Sequence, residues 1–110
     1  AFGRIHAERR VLRRVAHVTQ KVWAADDPAR TLANATAYLE AFGHVVLAWI
    51  WLEQSLAASA HYRREDTDFY HGKWQACRYF FLYELPKVDS MLDLVESLDD
   101  TTLGMQDAWF

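Results

Sequence analysis

The sequence predicts an all-α protein, an elongated up-down bundle of three to four helices. Three observations carry this expectation. Apolar residues recur three and four apart along most of the chain, the spacing of a single helix face. Only 4 Gly and 2 Pro interrupt 110 residues. Each proline also stands where a helix would begin or bend, Pro28 after a capping Asp and Pro86 inside a long apolar stripe.

The first helix is expected over Ile5–Ala25. Val11, Val15, Val18 and Val22 form one stripe, Leu12 and Trp23 widen it, and Arg9, Arg10, Arg13 and Arg14 fall outside it. β-Branched valines lower intrinsic helix propensity, so packing has to hold this helix in place.

"DDPAR" ends it. Asp27 is a good N-cap and Pro28 suits the first helical position, so a second helix is expected from there to about Ala60. The core face assigned to it carries Leu32, Leu39, Phe42, Val46, Trp49 and Leu56, although between Phe42 and Leu52 the neighbouring faces are apolar too. Thirty-three residues at 1.5 Å each make a rod about 50 Å long. A compact domain of this size has a radius of gyration near 13 Å, so the domain is elongated or the helix bends, with Gly43 the natural place for a bend or a close crossing.

"YRREDTD" reads as a reversal, with Asp66 or Thr67 capping the next helix. The last pattern joins Tyr70, Trp74, Cys77, Phe81, Leu85, Val88, Leu92 and Val95. Pro86 cannot donate to the Leu82 carbonyl, so helices near 67–85 and 86–98 are expected, kinked or divided between them. The tail has no stripe but ends on Trp109 and Phe110, which are expected to dock on another surface.

Length fits one domain over residues 1–110, burying roughly 65% of the surface its unfolded chain exposes. The chain is 52% hydrophobic and 15% aromatic, rich enough to raise the expectation of a buried interface around Val45, Trp49, Trp51 and Leu52. Net charge is −3, which gives no general drive toward nucleic acid, and the arginine cluster suits ion pairs with an acidic neighbour. A lone Cys77 forms no intrachain disulfide, and a reducing, cytoplasmic setting is expected. Val45–Leu52 is eight residues without a polar side chain, bounded in the wider stretch by Glu40 and Glu53. A span needs roughly 20 apolar residues, so a buried helix is expected rather than a membrane span.

No catalytic constellation stands out. Glu40 and His44 share a helix face, but the doubled Glu-x-x-His of di-iron bundles, HExxH, a Cys pair and an EF-hand loop are all absent from the sequence. His44 is expected as a satisfied polar group, bonded to Glu40 or to a carbonyl of another helix, and His61 and His71 as solvated. Glu53 at the end of the apolar run suits an ion pair with Arg78, Lys73 or a first-helix arginine better than a general base. Glu40, His44 and Glu53 are thus candidate buried polar residues, and Cys77 a small core residue. There is no phosphate loop or dinucleotide fingerprint, since Gly43 and Gly72 stand isolated in helical patterns. No catalytic, cofactor or metal residue is assigned.

"NATAYLEAFGHVVLAWIWLEQSLAA" (34–58) followed by "DFYHGKWQACRYFFLYELPKV" (68–88) resembles the C-terminal helical domain of acyl-CoA dehydrogenase-like flavoenzymes, of the methylmercaptopropionyl-CoA dehydrogenase type. The likeness runs from about Asp26 to the terminal "DAWF", and its strings are helix faces rather than catalytic motifs. It implies a C-terminal piece of a longer oxidoreductase. In such an enzyme FAD and the glutamate that removes the substrate α-proton belong to a preceding core. No family catalytic residue transfers to this chain. The implied role is a non-catalytic auxiliary and oligomerisation domain, its partners being that core, a second subunit, or both in a homo-oligomer. The alternatives are a self-standing helical interaction module and, more weakly, a small-ligand or metal-binding bundle using Glu40, His44 and Glu53.

Overall fold

A computed structural model describes residues 2–61 and 67–110. Helix α1 spans Phe2–Ala24, α2 Pro28–Leu32, α3 Ala35–His61, α4 Thr67–Tyr79 and α5 Lys87–Glu96. Among the described residues there is no strand. The expected reversal over 62–66, including Asp66 as a cap, lies outside the described residues.

The valine stripe of α1 packs as its spacing requires: Val11, Val15, Val18 and Val22 are all buried. Asp27 caps α2 by accepting from the Arg30 amide at 3.3 Å, with Pro28 at its first position. The long second helix expected from Pro28 to Ala60 is, however, two helices. Thr31 is buried and donates its hydroxyl to the Val22 carbonyl at 2.7 Å, while the Asn34 amide donates to the Asp99 carbonyl at 2.9 Å. These bonds tie the corner to both neighbouring segments, so the chain turns at Ala33 and Asn34 and restarts as α3.

Ion pairs set the directions. Arg10 and Arg14 pair with Asp89, Arg14 also with Asp93, and Lys21 with Glu96, so α1 and α5 run the same way. α3 opposes both: Tyr38 meets Thr19 at 2.8 Å, and His44 meets Glu84. The N-terminal half of α3 thereby joins a three-helix core with α1 and α5. Its C-terminal half pairs with α4, where the Trp74 indole donates to the Ser55 carbonyl at 3.0 Å. The result is a slab of 63 × 32 × 16 Å with a radius of gyration of 18.2 Å, elongated as the helix lengths require.

Within this slab α3 buries a different face from the one its large residues suggest. Ala41, Val45, Ala48, Leu52, Ser55 and Ala58 point inward, whereas Leu32, Leu39, Phe42, Val46, Trp49 and Leu56 are exposed. A helix touched by α1, α4 and α5 needs small side chains for close axial approach, and alanine and serine supply them. Gly43 is not the crossing point, nor does α3 break there: a Cβ placed on it would meet nothing within 4 Å.

The last pattern divides where Pro86 demands. Having no N–H for the Leu82 carbonyl, Pro86 is preceded by a π-helical turn over Phe80–Glu84, in which the Leu85 amide reaches back to the Phe80 carbonyl at 2.8 Å. The helix then resumes as α5, with Val88, Leu92 and Val95 buried.

Candidate functional site

Glu8 extends the valine stripe of α1 one position further, at spacing 8, 11, 15, 18, 22. The helix therefore carries it into the interior, where it is 4% exposed. Neither carboxylate oxygen has a hydrogen-bond partner among the described residues. Burial alone pushes its carboxyl up to about 7. It sits in the floor of a half-open groove of about 260 Å³, between α1 and α3, whose other walls are Leu12, Phe42, Val45, Val46 and Trp49. Glu8 was not among the residues expected from the sequence. The signal for it was its place in the three–four spacing, where an apolar residue belongs.

Beyond the groove the outer side of α3 is apolar across its width. Leu39, Phe42, Val46, Leu47, Trp49 and Ile50 are exposed, Trp49 at 54%. Gly43 lies among them, with open space where a Cβ would stand. The whole chain exposes 7677 Å². A compact folded monomer of 12.8 kDa exposes about 6,300 Å², so the excess is on the order of 1,400 Å².

The sequence-assigned interface residues separate into two sets. Val45 and Leu52 are buried within the chain and Trp51 packs half-buried against the core, leaving Trp49 on the open face. Trp109 and Phe110 are both exposed in this chain, Phe110 at 93%. Of the candidate buried polar residues, Glu40 and Glu53 are exposed, because both project from α3 away from its small-residue face.

His44 is half-buried. One ring nitrogen lies 3.0 Å from the Glu40 carbonyl of its own helix and the other 3.3 Å from the Glu84 carboxylate. Hydrogen bonding from Lys87 chiefly, with burial opposing and His44 adding to it, holds Glu84 below the usual carboxylate range. His44, Glu84 and Lys87 thus pair with one another at the surface. Among the described residues no cluster of three or more His, Cys, Asp or Glu is placed to hold a metal. Cys77 is a buried free thiol.

α3 also bears on the membrane question. Over 35–60 it is the one described helix long and apolar enough to cross a membrane by length and composition, with 22% of that window buried. Val45–Leu52 is therefore only the centre of a longer apolar segment, wider than the sequence expectation allowed. Core helices of soluble bundles pass the same length test.

Against known proteins, no curated protein and no solved structure matches the chain. A family model described as acetyl-CoA dehydrogenase C-terminal like matches residues 5–106, nearly the whole chain. The buried core and the open α3 face both fall inside that match. The chain belongs to this family, the C-terminal domain of acyl-CoA dehydrogenase-like proteins.

Proposed function

We propose that this domain is a non-catalytic auxiliary element of an FAD-dependent acyl-CoA dehydrogenase, and that it serves assembly rather than chemistry. The observation that carries the reading is the outer face of α3, where Leu39, Phe42, Val46, Leu47, Trp49 and Ile50 stand exposed side by side. Apolar patches of this kind mark contact surfaces.

Catalysis in the parent is α,β-dehydrogenation of an acyl-CoA thioester, with its base and flavin outside this chain. Two hollows among the described residues bear on the flavin, and neither is suited to it. The α1–α3 groove is apolar apart from Glu8, and the surface lined by Arg78, Tyr79 and Tyr83 offers one cation beside a stacked tyrosine pair.

The test is removal of this domain from the full-length enzyme. The expected outcome is a smaller or aggregating assembly that still binds FAD and still bleaches it in a single turnover with acyl-CoA. Unchanged assembly together with lost flavin reduction would overturn the auxiliary role.

A further inference from the structure

We propose that the α1–α3 groove is filled by a second copy of this chain, and that an arginine on α1 of that copy, Arg9 or Arg13, supplies the donors that the Glu8 carboxylate lacks. The inference rests on the assembly role proposed for the domain and names its partner and its anchor.

Three observations support it. Glu8 is a buried acceptor with two unpartnered oxygens, set in an otherwise apolar groove. An occupant that left it unpaired would retain the penalty of an unsatisfied buried charge, so the occupant has to bring a donor. Arg9 and Arg13 are exposed on the same helix and have no ion pair among the described residues, unlike Arg10 and Arg14 on the α5 side. Lying one and five residues from Glu8, they leave the helix in other directions and cannot fold back to it within one chain. Acceptor and donors thus lie on one helix without meeting, and a second copy of that helix can bring them together in a self-complementary contact. In a two-fold arrangement α1 of the partner runs antiparallel and places its arginines opposite Glu8, while Phe42, Val46 and Trp49 of both copies close over the pair. Phe42, Val46 and Trp49 line the groove and are exposed in the single chain, so the contact has apolar surface to cover.

A guanidinium is the fitting donor, because it remains charged when desolvated and can bond both carboxylate oxygens together. Glu8 would then act as a register device, rejecting apolar occupants that bring no donor.

Sedimentation velocity on the full-length protein tests this, with helicity followed by circular dichroism. Val46→Asp alters an exposed residue and should leave helicity unchanged while dissociating the contact. Glu8→Gln keeps shape and removes charge, and should weaken association by roughly tenfold or more. Glu8→Lys and the double variant Arg9→Glu/Arg13→Glu should each fail to associate alone, yet form a mixed dimer when combined. The proposal is overturned if Val46→Asp associates like the parent protein, or if the charge variants do not rescue one another. It is equally overturned if the parent protein is monomeric and the same face instead binds phosphatidylcholine vesicles. A failure of these tests with domain deletion still disrupting assembly would leave the auxiliary role intact and relocate its contact.

Discussion

The Arg14 guanidinium on α1 donates to the Asp89 carboxylate at 2.9 Å and to the Asp89 main-chain carbonyl at 3.0 Å, joining the first helix to the last. A further nitrogen bonds Asp93, and Glu96 lies 3.6 Å away. Arg14 is mostly covered, whereas Arg10 on the same carboxylate is well exposed, so the larger share of the contact rests on Arg14. Arg14→Ala should lower stability by about 1–2 kcal/mol in urea unfolding, and Arg10→Ala by about 0.5 kcal/mol or less. Burial would raise the Asp89 carboxyl, but hydrogen bonds from Arg10 and Arg14 outweigh it and hold it below its ordinary value. A depressed folded carboxyl stabilises above its unfolded pKa and loses that contribution as pH falls through the folded one. The stability gap between parent and Arg14→Ala should therefore narrow in acid.

Glu8 has the opposite sign. Its folded carboxyl sits at about 7 against an unfolded 4.5. The folded state therefore holds the proton more tightly between those values, and stability declines as pH rises through that window. The shift sets an upper limit of about 3 kcal/mol, reduced where water reaches the carboxylate through the groove mouth. Urea midpoints of the dissociated chain measured from pH 5 to pH 8 should fall in the parent and be flatter in Glu8→Gln. Glu8→Leu should raise the plateau above pH 7. Parallel profiles for all three would show that Glu8 does not titrate in this range.

Leu92 and Trp49 separate the two kinds of apolar residue. Leu92 is fully buried in the core shared by α1, α3 and α5, so Leu92→Ala should cost about 2–5 kcal/mol through lost transfer energy and a residual cavity. Trp49 is larger but projects outward, and Trp49→Ser should change the unfolding free energy of the separated chain by only about 0.5 kcal/mol. Dilution into the dissociated range before unfolding is needed to read the second value.

Gly43 offers a stabilising change. It lies inside α3 with open space where a Cβ would stand and with an ordinary helical φ. Gly43→Ala should add about 0.5–1 kcal/mol by restricting the unfolded chain and improving helix propensity. Thermal unfolding of dilute protein is the measurement, and a lower melting temperature there would contradict the open environment of Gly43.

Much of the fold was legible in advance because its determinants are local. The valines of α1 and the run Leu85, Val88, Leu92, Val95 carry their period in the sequence. Pro86 lacks an N–H in any surroundings, so the division beside it followed from covalent structure alone. The break at Ala33–Asn34 was not legible, since it depends on Thr31 reaching Val22 and Asn34 reaching Asp99, contacts between residues 9 and 65 apart.

By itself the sequence determined the helical class, the division beside Pro86, the apolar faces of the first and last helices and the family resemblance. Tertiary structure decided which face of α3 is inside. That helix is apolar almost all round, so periodicity does not choose a side. The choice falls to the three helices that crowd it, and they admit Ala41, Ala48 and Ala58 and turn Phe42, Val46 and Trp49 outward. The same packing decided the candidate site. In one dimension Glu8 is marked only by its place in the three–four spacing, and the closing of α3 over α1 makes it a buried carboxylate without a hydrogen-bond partner among the described residues.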